Sequence, residues 1–197
     1  RKLLRFTAFV SFPAMLGLSF VSKEFILITI TDKWLASANI LQLLCIWGAF
    51  IPICSLFSNL IISRGRSSIY MINTITLSIL QLITACIIYP YGINWMLRIF
   101  VSINILWLFV WFFFARREIS LTLKDMIKDI SPYLLLSAAL IILAYYITLP
   151  ITNIYLNFIA KIIIVAGGYG LVLWKMKSVI FRECINFILR KRQDGNI

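Results

Sequence analysis

Two cations in otherwise apolar stretches are the residues with most chemical promise. Arg98 and Lys161 each lie inside a run long enough to cross a lipid bilayer, and each continues a row of polar residues at helical spacing. Asn94, Arg98 and Ser102 recur at i, i+4 and i+8, and Asn153, Asn157 and Lys161 repeat that spacing. Two further rows accompany them. Gly48, Pro52, Ser55, Asn59 and Ser63 fall in a narrow sector at about 100° per residue, and Asn73, Thr74, Ser78, Gln81 and Thr84 share half of a helix. Small and hydroxyl residues on such rows let helices pack closely and hydrogen-bond, and that reading suffices for Gly167, Gly168 and Gly170. Four rows with amides and two cations point further, to a water-filled cavity.

Depth separates the two cations. Arg98 is a turn or two inside its run, where it can either snorkel to the surface or line the cavity. Lys161 is roughly ten residues in, about 15 Å by helix rise. An ammonium there is costly and faces a cavity or a partner. With no Asp or Glu in the deep part of any run, the expected partner is an acid outside this stretch or an anionic substrate. The chain has no histidine, carboxylate pair, phosphate-cradling glycine loop or metal-ligand cluster. Neither a catalytic centre, a metal nor a cofactor is expected.

The elements that must position these residues are membrane spans. Hydrophobic residues make up 62% and charged residues 13% of the 197-residue chain, far from the soluble balance. The stretch Phe6 to Ser22 carries no charge although Pro13 interrupts it. Inside a bundle, neighbouring helices can satisfy the carbonyl that a proline frees. Six spans are placed at about 6–30, 38–63, 69–89, 93–114, 133–149 and 151–174, giving an all-α, polytopic bundle over 1–174 and a basic amphipathic tail over 175–197. Leu123–Ile130 reads as a separate interfacial helix, with Ser131-Pro132 opening the fifth span.

Charge sets the orientation. Fifteen of the 19 cations fall on one side of this arrangement and only Lys23 and Lys33 on the other. The positive-inside rule then places both ends in the cytoplasm. The net charge of +12 is thereby a topology signal rather than a nucleic-acid footprint. Cys45, Cys54, Cys86 and Cys184 have no paired spacing and read as free thiols. The chain opens on Arg rather than Met and reads as a piece of a longer protein.

The run RFTAFVSFPAMLGLSFVSKEFILITITDKWL from Arg5, then LQLLCIWGAFIPI, then LIISRGRSS, resembles the C-terminal half of bacterial polysaccharide flippases. The similarity is to the O-antigen and colanic-acid type within the multidrug/oligosaccharidyl-lipid/polysaccharide exporter superfamily. Pro13, Gly17, Lys33, Trp34, Gly65 and Arg66 carry it as structural markers, and Pro90-Tyr91-Gly92 resembles the usual turn into the next span. A glycine common near Thr31-Asp32 is lacking, and beyond Tyr91 the likeness is compositional.

The resemblance implies two six-helix bundles around a central cavity that opens alternately to each side of the bacterial inner membrane. This chain would supply the second bundle, and the missing N-terminal half would be its partner, with glycan polymerase machinery a further candidate. The implied cargo is an undecaprenyl-diphosphate-linked oligosaccharide flipped to the periplasmic leaflet. Arg98 and Lys161 would then meet the diphosphate, and Asn59, Gln81 and Asn157 the sugar hydroxyls. The alternatives are a multidrug cation antiporter of the same superfamily, which would need membrane-embedded carboxylates, a non-transport membrane enzyme of glycan assembly, and a purely structural membrane subunit.

Overall fold

The computed structural model describes residues 2–30, 32–119, 122–151 and 153–175. Among them run seven α-helices: α1 (Lys2–Thr29), α2 (Leu35–Gly48), α3 (Ile51–Ser63), α4 (Ser67–Ile88), α5 (Ile93–Ile119), α6 (Leu123–Thr148) and α7 (Ile154–Lys175). Counting α2 and α3 as one broken span, six are long and apolar enough to cross a membrane. The chain is a multi-pass, all-α membrane protein. The basic tail expected beyond 175 lies outside the described residues.

α1 is the hub, packing against α2, α3, α6 and α7, while α5 joins α2 and α3 to the peripheral α4. Proline explains its construction. Pro13 cannot donate to the carbonyl of Phe9 one turn back. The Tyr169 hydroxyl of α7 donates to that oxygen at 2.9 Å, so the neighbour supplies the hydrogen bond the ring removes.

A second irregularity divides the second span at Ala49-Phe50, just before Pro52 at the start of α3. There the Ile53 amide turns to the Phe50 carbonyl, and the buried Ser11 hydroxyl donates to the Ala49 carbonyl at 2.8 Å. The far end of α3 closes with Gly65 at φ +73°, while the amides of Gly65 and Arg66 bond the carbonyls of Ile62 and Ile61. This is a Schellman closure, and it accounts for Gly65 in the RGRSS turn.

The fifth span differs from expectation. Leu123–Ile130 is no separate interfacial helix but the first part of α6, which continues through Pro132. Thr122 caps it, accepting from the Asp125 amide at 3.2 Å, and Asp129 binds Arg5 of α1 at 2.6 Å. Met126 and Ile130 are buried beneath. These contacts hold the helix across the proline, whose displaced carbonyl belongs to Lys128, a residue on the exposed side.

The apolar core joins Phe12 of α1, Ile53 and Phe57 of α3, Phe112 of α5, Met126 of α6 and Leu173 of α7. Phe12 meets Phe50, and Phe57 meets Phe112, edge to face at 5.4 and 6.0 Å. Most of this core lies toward the end where Lys2, Arg5, Arg64, Arg66, Arg116, Arg117, Lys124 and Lys128 gather. Toward the opposite end Ser19, Ser22, Thr148 and Lys161 are buried.

Candidate functional site

At that opposite end Lys161 has a partner inside the chain. Its ammonium lies 2.5 Å from Glu24 Oε1, which overturns the expectation that the partner is an acid elsewhere or an anion. Glu24 is five residues before the end of α1 and Lys161 seven after the start of α7. By helix rise both sit about 8–10 Å from their helix ends, so antiparallel packing brings them level. The side chains are 12% and 10% exposed, which makes this a buried ion pair. Lys161 also lies 4.5 Å from the centre of the Phe20 ring.

The pair forms one wall of a cleft of about 600 Å³ between α1, α2 and α6. Ser19, Ser22, Lys23, Asn39, Gln42 and Tyr145 supply the remaining polar lining. The Ser19 hydroxyl donates to the Gln42 carbonyl at 3.2 Å and ties α1 to α2 at this level. Glu24 Oε2 is buried and has no hydrogen-bond donor among the described residues. The cleft thus offers serine hydroxyls, two side-chain amides and the Lys23 ammonium, a set suited to a polyhydroxylated ligand.

The other expected site residues do not converge on this cleft. Asn157 comes nearest, one turn before Lys161 on the same face of α7; its Nδ2 donates to the Ile151 carbonyl at 3.3 Å, and its buried Oδ1 has no donor among the described residues. Gln81 instead donates to Asn104 Oδ1 at 3.1 Å between α4 and α5, beside a mostly apolar groove of about 640 Å³. Asn59 is exposed on α3. Arg98 is exposed and lies over the Trp95 ring at 5.3 Å.

Nor do the four polar rows enclose one cavity. Ser63, Thr74, Thr84 and Ser102 bond carbonyls of their own helices, which satisfies a hydroxyl on a lipid-facing surface. Of the α7 glycines only Gly168 is tightly approached: a Cβ there would lie 3.0 Å from Leu140 of α6, whereas Gly167 and Gly170 face open space. Gly17 faces Val165 of α7, 3.7 Å from where a Cβ would stand, while Lys33 and Trp34 form an exposed turn between α1 and α2.

The α1 wall of the cleft also carries the similarity to known proteins. Residues 1–39 match a family model described as "Polysaccharide biosynthesis protein". This stretch is thus similar to polysaccharide biosynthesis proteins. It is 35% identical over 65 residues to an "uncharacterized membrane protein in cps region" of Klebsiella pneumoniae, a match covering 33% of this chain and 13% of that protein. It is 34% identical over 68 residues to the "Lipopolysaccharide biosynthesis protein WzxC" of Escherichia coli, covering 34% of this chain and 14% of the relative. The match therefore spans only a small part of each relative's length. No solved structure matches the chain. Ser19, Ser22, Glu24 and Asn39 fall inside the family-matched stretch, whereas Lys161 lies beyond it.

Sequence reasoning missed Ser19, Ser22, Glu24, Asn39 and Gln42. Glu24 did carry a signal, as an acid within the apolar run from Phe6 to Ile30. Nothing in linear order sets it opposite a residue 137 positions away.

Proposed function

We propose that this chain is part of an exporter that carries a lipid-linked oligosaccharide from the cytoplasmic to the periplasmic leaflet of a bacterial inner membrane. The observation that carries this is the polar cleft beside the Glu24–Lys161 pair, set within spanning helices and lined by hydroxyls and amides. Relatedness to polysaccharide biosynthesis proteins supplies the cargo class. The basic end would face the cytoplasm, by the positive-inside rule. A second bundle would cover residues such as the exposed Asn59, and alternating access around a buried polar site would move the head group.

The test uses the whole protein in a strain lacking its own copy. Asn39→Leu combined with Gln42→Leu changes two exposed cleft residues without touching the ion pair. Surface glycan is expected to fall while lipid-linked oligosaccharide accumulates on the inner leaflet, at matched protein abundance. Normal surface display would overturn the export reading.

Glu24 favours one second reading. It is a carboxylate embedded in a span, as a multidrug cation antiporter of the same superfamily would need. That protein would confer resistance to cationic dyes, lose it with Glu24→Gln, and leave surface glycan unchanged.

A further inference from the structure

The cations of the basic end are unevenly matched by acids. Beside α1 and α6, Lys2, Arg5, Lys124 and Lys128 share that end with Asp125 and Asp129, and Asp129 binds Arg5. On the other flank Arg64 and Arg66 occupy the α3–α4 turn, and Arg116 and Arg117 the last turn of α5. α3 and α4 contain no acid, and Glu118 is the one carboxylate residue of α5. Packing sets these arginines at one height. The rings of Tyr70 and Trp111 lie 5.8 Å apart across the α4–α5 contact. Arg66 stands about one turn beyond Tyr70 toward the end and Ala115 one turn beyond Trp111, so Arg66 is level with Arg116. All four arginines are exposed. No side-chain cap closes the α4 N-terminus between them, so its dipole adds to the positive field.

Below the arginines the surface turns apolar at once. Met71, Ile72 and Ile75 of α4 and Phe113 of α5 are exposed, and the Arg117 guanidinium lies over the Phe113 ring at 4.8 Å. We propose that this α4–α5 corner binds an anionic phospholipid of the host bilayer, its phosphate bridging the α3–α4 turn and the end of α5 and its acyl chains lying on α4. This is a structural lipid rather than a cargo, and it does not depend on what the protein transports. The two depths decide the occupant. Guanidinium forks match phosphate oxygens, and the apolar wall directly beneath takes the tails. An acidic protein segment would meet the arginines but not the wall. Charge selects among lipids, because a zwitterionic headgroup carries its own cation into a corner already rich in them. The peripheral α4 packs on α3 and α5, and a headgroup shared by its first turn and α5 staples it to the bundle.

The experiment places a benzophenone amino acid at Met71, one turn below Ser67, or at Ile127, exposed on α6 between Lys124 and Lys128. The whole protein is reconstituted in vesicles of equal phosphatidylglycerol and phosphatidylcholine with the same acyl chains, then irradiated. Mass spectrometry reads the lipid adducts. Phosphatidylglycerol should exceed phosphatidylcholine at 71 by roughly fivefold or more, the worth of one basic residue at an anionic surface, and by much less at 127. Arg64→Gln/Arg66→Gln and Arg116→Gln/Arg117→Gln should each bring the ratio at 71 down to that at 127, while the ratio at 127 stays unchanged and reports intact folding. Equal ratios at the two positions in the wild type would overturn the site, leaving the general attraction of a basic end for anionic lipid. So would a polypeptide adduct at 71 in place of lipid. A ratio at 71 that survives either pair of substitutions would overturn the bridge.

Discussion

The Tyr169 hydroxyl and the Phe9 carbonyl, 2.9 Å apart, repair across a helix interface the gap that Pro13 opens in α1. Phe9 also lies against the rings of Tyr169 and Tyr133, at 5.8 and 6.2 Å. One aromatic cluster therefore anchors the hub helix to both α6 and α7. The proline then sets the shape of α1 without leaving an unmet acceptor in the bundle.

Tyr169→Phe keeps the ring and deletes the donor, so it should destabilise the bundle by about 1 kcal/mol. The penalty should shrink in a Pro13→Ala background, where the alanine amide can serve the carbonyl itself. Thermal unfolding in detergent of the two single variants and the double variant checks this. Equal penalties in both backgrounds would show that the hydroxyl has no link to the proline.

Ser11 performs the same repair at the α2–α3 break. Ser11→Ala strands the buried Ala49 carbonyl and should cost about 1–3 kcal/mol. Ser58→Ala is the control, because Ser58 bonds the Ser55 carbonyl of its own helix near the surface. Its unfolding temperature should stay near wild type while that of Ser11→Ala drops.

Removing one member of the Glu24–Lys161 pair leaves a buried charge uncompensated, at a cost of roughly 3–5 kcal/mol, whereas removing both is far milder. Lys161→Met and Glu24→Gln singly should therefore lower membrane abundance, and together they should restore most of it. A double variant as depleted as Lys161→Met would argue that the two groups are not energetically coupled.

Orientation is tested with single cysteines in a background lacking Cys45, Cys54, Cys86 and Cys184. Ser67 and Asn94 are exposed at opposite ends of the bundle. In intact cells an impermeant thiol reagent should modify Asn94→Cys and spare Ser67→Cys. The opposite pattern would invert the proposed topology. Ser120, expected beside Ser67, lies outside the described residues.

Local chemistry alone determined the solvent, the number of spans and the gathering of cations at one end. Runs such as Phe6–Ser22 are long enough to cross lipid whatever they pack against, and the RGRSS turn ends its helix through the positive φ of Gly65. Even the need to repair Pro13 was readable, since a missing amide is a property of the residue. The donor was not, because Tyr169 lies 160 residues away. For the same reason Leu123–Ile130 read as a separate helix: Asp129 meets Arg5 only once α6 packs on α1. The site shows the limit most plainly. Helical periodicity reports which residues share a face of one helix but not which faces meet. Depth alone set Lys161 apart from Arg98 in the sequence, and the tertiary structure alone decided that Lys161 meets Glu24 between an apolar groove and a polar cleft. Burial of both charges at equal depth on antiparallel helices is what joins them.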